Sequence, residues 1–253
     1  MDGSLGALVL VRHGESVGNV RELFTGVLDL DLTPAGEDAC RLAGRRLAGA
    51  GFTPDLIVTS ELARGRRTAA LIRDSLRSAA PVVRTWRLNE RNYGALSGRL
   101  KAAVLAEHGR ELFVHWRRSY AGRPPALDDG TLALWRRLPP FDRLPAEALT
   151  ATESLADVVA RLRPWLPELG EHLAGGRNVL VVAHGNSLRA LCALLDGLTP
   201  EELAALNLPN ARPLRYDLVA DGDRLRPLVR GGTYLDPEAA HAEALVIAAQ
   251  GGT

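Results

Sequence analysis

The sequence is short of the residues that would place it in several broad classes. Its 253 residues include two cysteines, Cys40 and Cys192. These are too few and too unpatterned for a disulfide scaffold or a zinc site, and a reducing cytoplasm is the simplest setting. No run of about 18 uninterrupted apolar residues occurs, as a membrane-spanning helix would need. The start, MDGSLGALVLVRHGES, has neither the basic region nor the cleavage site of a secretory leader. Net charge is nearly absent too. The formal +1 gives no global field for nucleic acid or an anionic membrane, so neither is expected as a partner. Any preference for anions must come from local clusters. Neither H-E-x-x-H nor C-x-x-C is present, and no repeat of about 20–50 residues. The last scarcity is lysine: of 31 basic residues only Lys101 is one, the rest being arginine. A solitary lysine marks a position that wants a compact point charge rather than a planar fork, or it is chance retention.

What is present is an ordinary globular composition, 46% hydrophobic and 24% charged, at a length that suits one α/β domain. Residues 8–11 form a short apolar run ending at Arg12-His13-Gly14, which predicts a buried parallel strand feeding a loop. Residues 34–50 have helical spacing stopped by Gly51. Residues 56–58 and 82–86 read as strands, 61–76 as a helix, and 179–183 as the clearest strand, followed by a helix through Leu195. Thr150 with Glu153 has capping-box spacing ahead of a long helix, and Thr199-Pro200-Glu201-Glu202 opens another. Strands alternating with helices predict a three-layer α/β/α fold with a mostly parallel sheet, as a single domain over 1–253. Residues 98–148, rich in Arg, Pro and Trp and without a strand signal, read as an inserted helical cap. The tail, about 231–253, starts with Gly231-Gly232 and ends in an Ala-rich helical piece. It is either a lid or a frayed end.

Two segments share a local pattern: VLVRHGES at 9–16 and VVAHGNS at 181–187. Each is a strand running into His-Gly-polar-Ser, and ligands of wound sheets bind outside the carboxyl ends of strands. If the strands are neighbours, His13 and His184 face one pocket, and the glycine after each lets backbone approach a bound group. The alternative is two unrelated structural histidines. Metal ligation lacks a third ligand at suitable spacing, and Arg12 beside His13 favours an anion. Arg64, just past the strand at 56–58, reaches the same rim. An imidazole flanked by guanidinium groups is suited to attack phosphorus, because the cations stabilise the equatorial oxygens. Adjacent Arg117-Arg118 is by default solvated surface, but Trp116 and Tyr120 bracket it. His108, His115, His172 and His241 have no motif support and read as surface or structural, and Glu15 as structural.

RHGES at 12–16 resembles the signature of the histidine phosphatase superfamily. LFTG (23–26), TSELAR (59–64), RLNERNYGALSG (87–98), WRRSY (116–120), TESL (152–155) and AHGNSLRAL (183–191) resemble the cofactor-dependent phosphoglycerate mutases, in order and over nearly the whole chain. The resemblance implies that His13 becomes phosphohistidine, with Arg12, Arg64 and His184 around the phosphoryl group and Asn19 and Gly185 completing its hydrogen bonds. It implies Glu90 as general acid/base. Ser16, Thr25, Gly26, Arg91, Asn92, Tyr93, Lys101, Arg117, Arg118 and Asn186 would hold the carboxylate and the second phosphate. Lys101 falls on the lysine position of the pattern. A doubly phosphorylated glycerate carries roughly −1.5 to −2 per phosphate plus a carboxylate, and Lys101, Arg117 and Arg118 offer a second set of cations for it. The implied cofactor is 2,3-bisphosphoglycerate, without a metal. The implied partner is a small phosphorylated carboxylic acid of glycolysis and gluconeogenesis, and the assembly a homodimer or homotetramer. The sequence departs from the pattern at Val17-Gly18, at Asn92 where His is usual, at Ser97, at Leu100, and at Asn210-Ala211-Arg212 where Thr-Gly and an apolar residue are expected. These departures are expected at the pocket rim and the landing site of the tail. They keep open a specialised paralogue, a phosphatase or a mutase of another phosphorylated acid, and beyond that a non-catalytic anion-binding protein.

Overall fold

The computed structural model describes residues 4–222 and 224–249; the last four residues of the predicted tail lie outside that range. In chain order the elements are β1 (Ser4–Arg12), α1 (Val17–Val20), α2 (Pro34–Gly49), β2 (Leu56–Thr59), α3 (Ala63–Leu76) and β3 (Val82–Arg84). The cap contributes α4 (Lys101–Arg118) and α5 (Asp129–Trp135), and the chain returns through α6 (Leu155–Leu162) and α7 (Leu166–Leu173). It ends with β4 (Val179–Ala183), α8 (Gly185–Asp196), α9 (Pro200–Ala205), β5 (Leu214–Asp221), β6 (Arg224–Pro227), β7 (Thr233–Tyr234) and α10 (Pro237–Ala249).

The sheet order is β3-β2-β4-β1-β5-β6, with β7 also on β5. The first four strands are parallel, and β5 turns antiparallel onto β1. Strands β1 and β4 are continuous apolar runs because both faces are covered. Alternate side chains go to opposite faces. Leu8, Leu10, Val179 and Val181 join the core under α6, α7 and α8 with Trp165 and Leu188. Val9, Val11, Leu180 and Val182 join Cys40, Leu47 and Ile72 under α2 and α3. The sheet is thus the middle of three layers.

Helix starts follow their capping chemistry. Thr33 accepts from Gly36 N ahead of Pro34, and Thr199 forms the expected capping box with Glu202. The expected box at Thr150 and Glu153 is not formed. The carboxylate of Glu153 is engaged by Arg161 and by the amide of Asn92, and the box that opens α6 lies four residues further on, Ser154 with Asp157. Nor is there one long helix, because Pro164 and Pro167 lack amide protons and a 3₁₀ turn at Arg163–Trp165 separates α6 from α7. Strand β3 stops at Arg84, and the chain swings out through a 3₁₀ turn, Trp86–Leu88. The cap is helical, with α4 kinked at Gly109 (φ 78°, ψ 167°). Its aromatic residues Phe113 and Trp116 cluster with Phe24 and Tyr93. Strands β5, β6 and β7 were absent from the sequence reading, although Leu214, Tyr216 and Leu218 alternate with Arg215 and Asp217 as a half-buried strand should.

The described part of the tail is tied down by ion pairs rather than frayed. Arg212 bridges Asp236 (3.1 Å) and Glu243, and Arg46 of α2 reaches Asp236 at 2.6 Å. Ala240 is the buried residue of α10, while Leu245 stays 72% exposed. Charge therefore holds this helix more than apolar burial does. Partly exposed ion pairs are each worth up to about 1 kcal/mol. Asp236→Asn combined with Glu243→Gln is expected to speed amide exchange in α10 roughly tenfold, leaving β1 and β4 unchanged. Unchanged exchange in α10 would show that its apolar contacts suffice.

Candidate active site

The register Arg12↔Ala183 between β1 and β4 sends His13 and His184 out of the sheet side by side. The amide of His13 donates to Ala183 O at 2.9 Å, and the two rings lie 5.0 Å apart between centroids, tilted by 56°. His13 Nδ1 is 2.7 Å from Gly14 O. A carbonyl can only accept, so Nδ1 carries the proton and Nε2 keeps its lone pair. Arg64 Nε donates to that Nε2 at 3.3 Å. The rest of the Arg64 fork is fixed to Leu28 O and Gly26 O, each at 2.7 Å. Arg12 is held by Leu208 O at 2.8 Å, and its buried Nε has no protein partner.

His184 occupies the N-cap of α8, with Nε2 2.7 Å from Ser60 Oγ and a buried, unpartnered Nδ1. A Cβ on Gly65 would stand 2.6 Å from Ser60 Oγ, so α3 can come this close only with glycine there. Gly14 serves packing rather than ligand approach, a correction to the sequence expectation. Its Cβ would meet Gly36 O at 2.5 Å and Cys40 Sγ at 2.6 Å, so the missing side chain lets α2 seat against the nucleophile loop.

Burial sets the charge states. Desolvation, then Arg64 and Arg12, hold the His13 imidazole well below its ordinary pKa, only partly offset by the Gly14 carbonyl. His184 is lowered likewise by burial, Arg64, His13 and Arg12. Both rings are neutral near pH 7. Burial, then Arg117, brings Lys101 down to about 8. The carboxylate of Glu90 accepts from Arg91 N (2.7 Å) and from Asn186 N (3.1 Å) in the first turn of α8, where helix amides lack partners. Asn186 donates to Tyr93 OH and accepts from the buried Arg189.

One small, partly open cavity gathers Arg12, His13, Ser16, Asn19, Thr25, Gly26, Arg64, Glu90, Tyr93, Lys101, Arg117 and Asn186, with Leu23 and Phe24. Four cations thus face one carboxylate. His184 and Gly185 stand behind His13 rather than in the lining. Three expected binding residues lie elsewhere. Arg91 is buried on Trp116 O, with its guanidinium 4.4 Å from the Tyr93 ring centroid. Asn92 braces the turn between Thr150 O and Gly94 N. Arg118 points to Asn207 and the carbonyl of Ala204. The departure at 210–212 is not at the cavity rim: Asn210 Nδ2 donates to His13 O at 2.6 Å, and Ala211 N to Arg12 O at 2.9 Å. Ser60 and Asn210 were missed as site residues, though Ser60 lies in the quoted TSELAR and Asn210 in a noted departure.

A family model described as the histidine phosphatase superfamily (branch 1) matches residues 8–141 and 127–228. A 2,3-bisphosphoglycerate-dependent phosphoglycerate mutase of Thermobifida fusca is 49% identical over 238 residues, 93% of this chain and 95% of its own. The protein of the same name from Mycobacterium bovis is 48% identical over 249 residues, 97% of this chain and 98% of its own. Among solved structures, a mycobacterial glucosyl-3-phosphoglycerate phosphatase with VO3 has a TM-score of 0.66 at 27% identity, over 90% of this chain and 100% of that one. Mycobacterial hydrolase 1 reaches 0.69 at 26% identity, over 90% and 99%.

The two neutral imidazoles make stability depend on pH. The unfolded chain takes up their protons below about pH 6.5, whereas the folded protein does so only at lower pH. Stability should therefore fall as pH drops below 6.5, by about 1.4 kcal/mol per pH unit per histidine, until the folded-state pKa values are reached. Urea midpoints at pH 7.5, 6.5 and 5.5 measure this, and His13→Gln should show the shallower slope. Equal slopes in both proteins would mean that His13 is not the buried neutral group described.

Proposed function

The chain belongs to the histidine phosphatase superfamily, and on that footing we propose that it is a 2,3-bisphosphoglycerate-dependent phosphoglycerate mutase. It interconverts 3-phosphoglycerate and 2-phosphoglycerate, a step of glycolysis and gluconeogenesis, through a phosphohistidine at His13. One observation supports this most: the neutral Nε2 of His13 shares a single cavity with Arg12, Arg64, Lys101 and Arg117. The donor set fits a bisphosphorylated acid, for its cations outnumber its carboxylates and the buried Nε of Arg12 has no protein partner. Arg12 and Arg64 would hold the phosphate at His13, and Lys101 and Arg117 the distal anionic group. When bound, the bisphosphate supplies the phosphoryl group that primes His13.

The chain's own residues then do the following. His13 Nε2 is the nucleophile, and the Nδ1–H bond to Gly14 O stabilises the positive ring that forms. Arg64, pulled to about 10 by burial yet still charged, faces the equatorial oxygens with Arg12. In the return transfer the N–P bond breaks and a P–O bond forms at the substrate hydroxyl, whose proton passes to Glu90. The helix amide at Asn186 keeps that carboxylate aimed. No helix among the described residues is long and apolar enough to cross a membrane, and we place the reaction in the cytoplasm.

A phosphatase, or a mutase of another phosphorylated acid, is the second reading. It is favoured by the fold shared with the glucosyl-3-phosphoglycerate phosphatase at 27% identity, and by the exposed Leu100 directly before Lys101. The 47–49% identity to mutases outweighs it. A non-catalytic binder would need neither the Nε2 lone pair nor Glu90.

Incubation with 3-phosphoglycerate and catalytic 2,3-bisphosphoglycerate should yield 2-phosphoglycerate with little inorganic phosphate. Acid-labile, alkali-stable phosphate should appear on the protein and vanish in His13→Ala. Mainly inorganic phosphate would establish the phosphatase, and no labelling at all the binder. The lowered pKa of Lys101 adds a pH signature. Its ammonium, charged well below pH 8, loses its proton in the free protein as pH rises through about 8. KM for phosphoglycerate should then climb, at most about tenfold per unit, with kcat nearly flat. Lys101→Met should have a high KM without that rise. A rise that persists in Lys101→Met would assign it to another group.

A further inference from the structure

We propose that the buried Glu153–Arg161 ion pair is a positioning device for Glu90, holding its carboxylate where it exchanges a proton with the substrate hydroxyl. This rests on the functional reading above. Glu90 sits in an irregular stretch between two 3₁₀ turns, Trp86–Leu88 and Gly94–Leu96, where no ladder fixes the main chain. Its buried carbonyls need donors from elsewhere, and Arg161, in the last turn of α6, supplies them. Arg161 Nη2 donates to Asn89 O at 2.6 Å and to Glu90 O at 3.3 Å, and Nη1 to Arg87 O. Its Nε donates to Glu153 Oε1 at 2.7 Å. The other oxygen of Glu153 accepts from Asn92 N at 2.9 Å, and the amide of Glu153 donates to Asn92 O at 2.9 Å. One ion pair therefore grips the main chain on both sides of residue 90.

The pair is largely shielded from solvent, with side chains 10% and 11% exposed, and neither residue lines the cavity. Its chemistry suits a support. Only a planar fork can meet three carbonyls and a carboxylate together; the ammonium of a lysine cannot. Arg161 touches the backbone of Glu90, while the carboxylate is aimed by Arg91 N and Asn186 N. Loosening the backbone moves the carboxylate off those amides. A misplacement of about 1 Å at a reacting group can cost on the order of a hundredfold in rate.

A double-mutant cycle on the full chain tests this. Arg161→Lys should lower kcat for phosphoglycerate roughly tenfold with KM within about twofold, and Glu153→Gln should do the same more mildly. In a Glu90→Gln background, where the proton relay is already gone, Arg161→Lys should cost less than about twofold. The same tenfold loss in both backgrounds, or a KM that rises in step, would overturn the positioning role and leave a structural pair. If Arg161→Lys does not fold, Glu153→Gln carries the same cycle. Should the unmodified protein release inorganic phosphate instead of forming 2-phosphoglycerate, the mutase reading fails. The cycle is then read on phosphate release, where Glu90 protonates the leaving hydroxyl, and the positioning role stands or falls on that result.

Discussion

The parallel pairing of β1 with β4 is the constraint on which the rest of the structure depends. Its register places Arg12 opposite Ala183, and one further hydrogen bond, from His13 N to Ala183 O, carries the ladder one residue past the end of β1. A slip of one residue would turn every side chain of a strand to the other face. The two imidazoles would then leave on opposite sides of the sheet. Both strands are apolar above and below, so it is the close packing of their side chains into two differently shaped core layers that holds that register. The apolar core therefore sets the 5.0 Å separation of two polar rings.

Beyond the sheet the site is built from arginines held by backbone carbonyls rather than by carboxylates. Arg12 rests on Leu208 O, Arg64 on Gly26 O and Leu28 O, and Arg189 on Leu203 O. Arg118 rests on Ala204 O in the same stretch that holds Arg12 and Arg189. A carbonyl orients a guanidinium but carries only a partial charge, so most of the positive field remains for a ligand to meet. Desolvation lowers the pKa of these buried arginines, yet Arg64 near 10 and Arg189 near 9 stay charged at neutral pH. Arg161 is the contrast: it is paired with a carboxylate, that of Glu153, and organises backbone outside the cavity.

What was legible in the sequence follows from which forces are local. The runs at 8–11 and 179–183, the helix stop at Gly51 and the box at Thr199 are decided by neighbours in the chain, and the structure carries all of them. Arg12, His13 and Arg64 were readable as neighbours because strand ends and motif coincide, Glu90 was expected only from the resemblance, and the structure brings all four to one cavity. Other features depend on partners far away in sequence. Glu153 could not cap a helix because Asn92 and Arg161 claim its carboxylate. Arg118 was given a binding role by the resemblance of WRRSY, yet neighbours on a helix point about 100° apart, and its head finds α9 instead. The glycine of Arg12-His13-Gly14 looked like room for a ligand and is room for α2. Strand β5 is the one omission that pattern alone should have prevented.

The distal cations show how a local irregularity can set the reach of a site. Lys101 and Arg117 lie at the two ends of α4, sixteen residues apart. In a straight helix their Cα atoms would be about 24 Å apart, too far for both to line a pocket of this size. They line the same one because the helix is broken at Gly109, in a backbone conformation with positive φ and ψ near 170° that side chains with a Cβ rarely adopt. Nothing lies within 4 Å of where a Cβ on Gly109 would stand, so glycine is needed there for conformation and not for space. The start of α4 is tied down separately, with Lys101 N bonded to Glu22 O and Phe24 N to Arg99 O. Its far end is packed through Phe113 and Trp116 onto Phe24. One bend and two anchors thus bring charges from both ends of a long helix into one cavity.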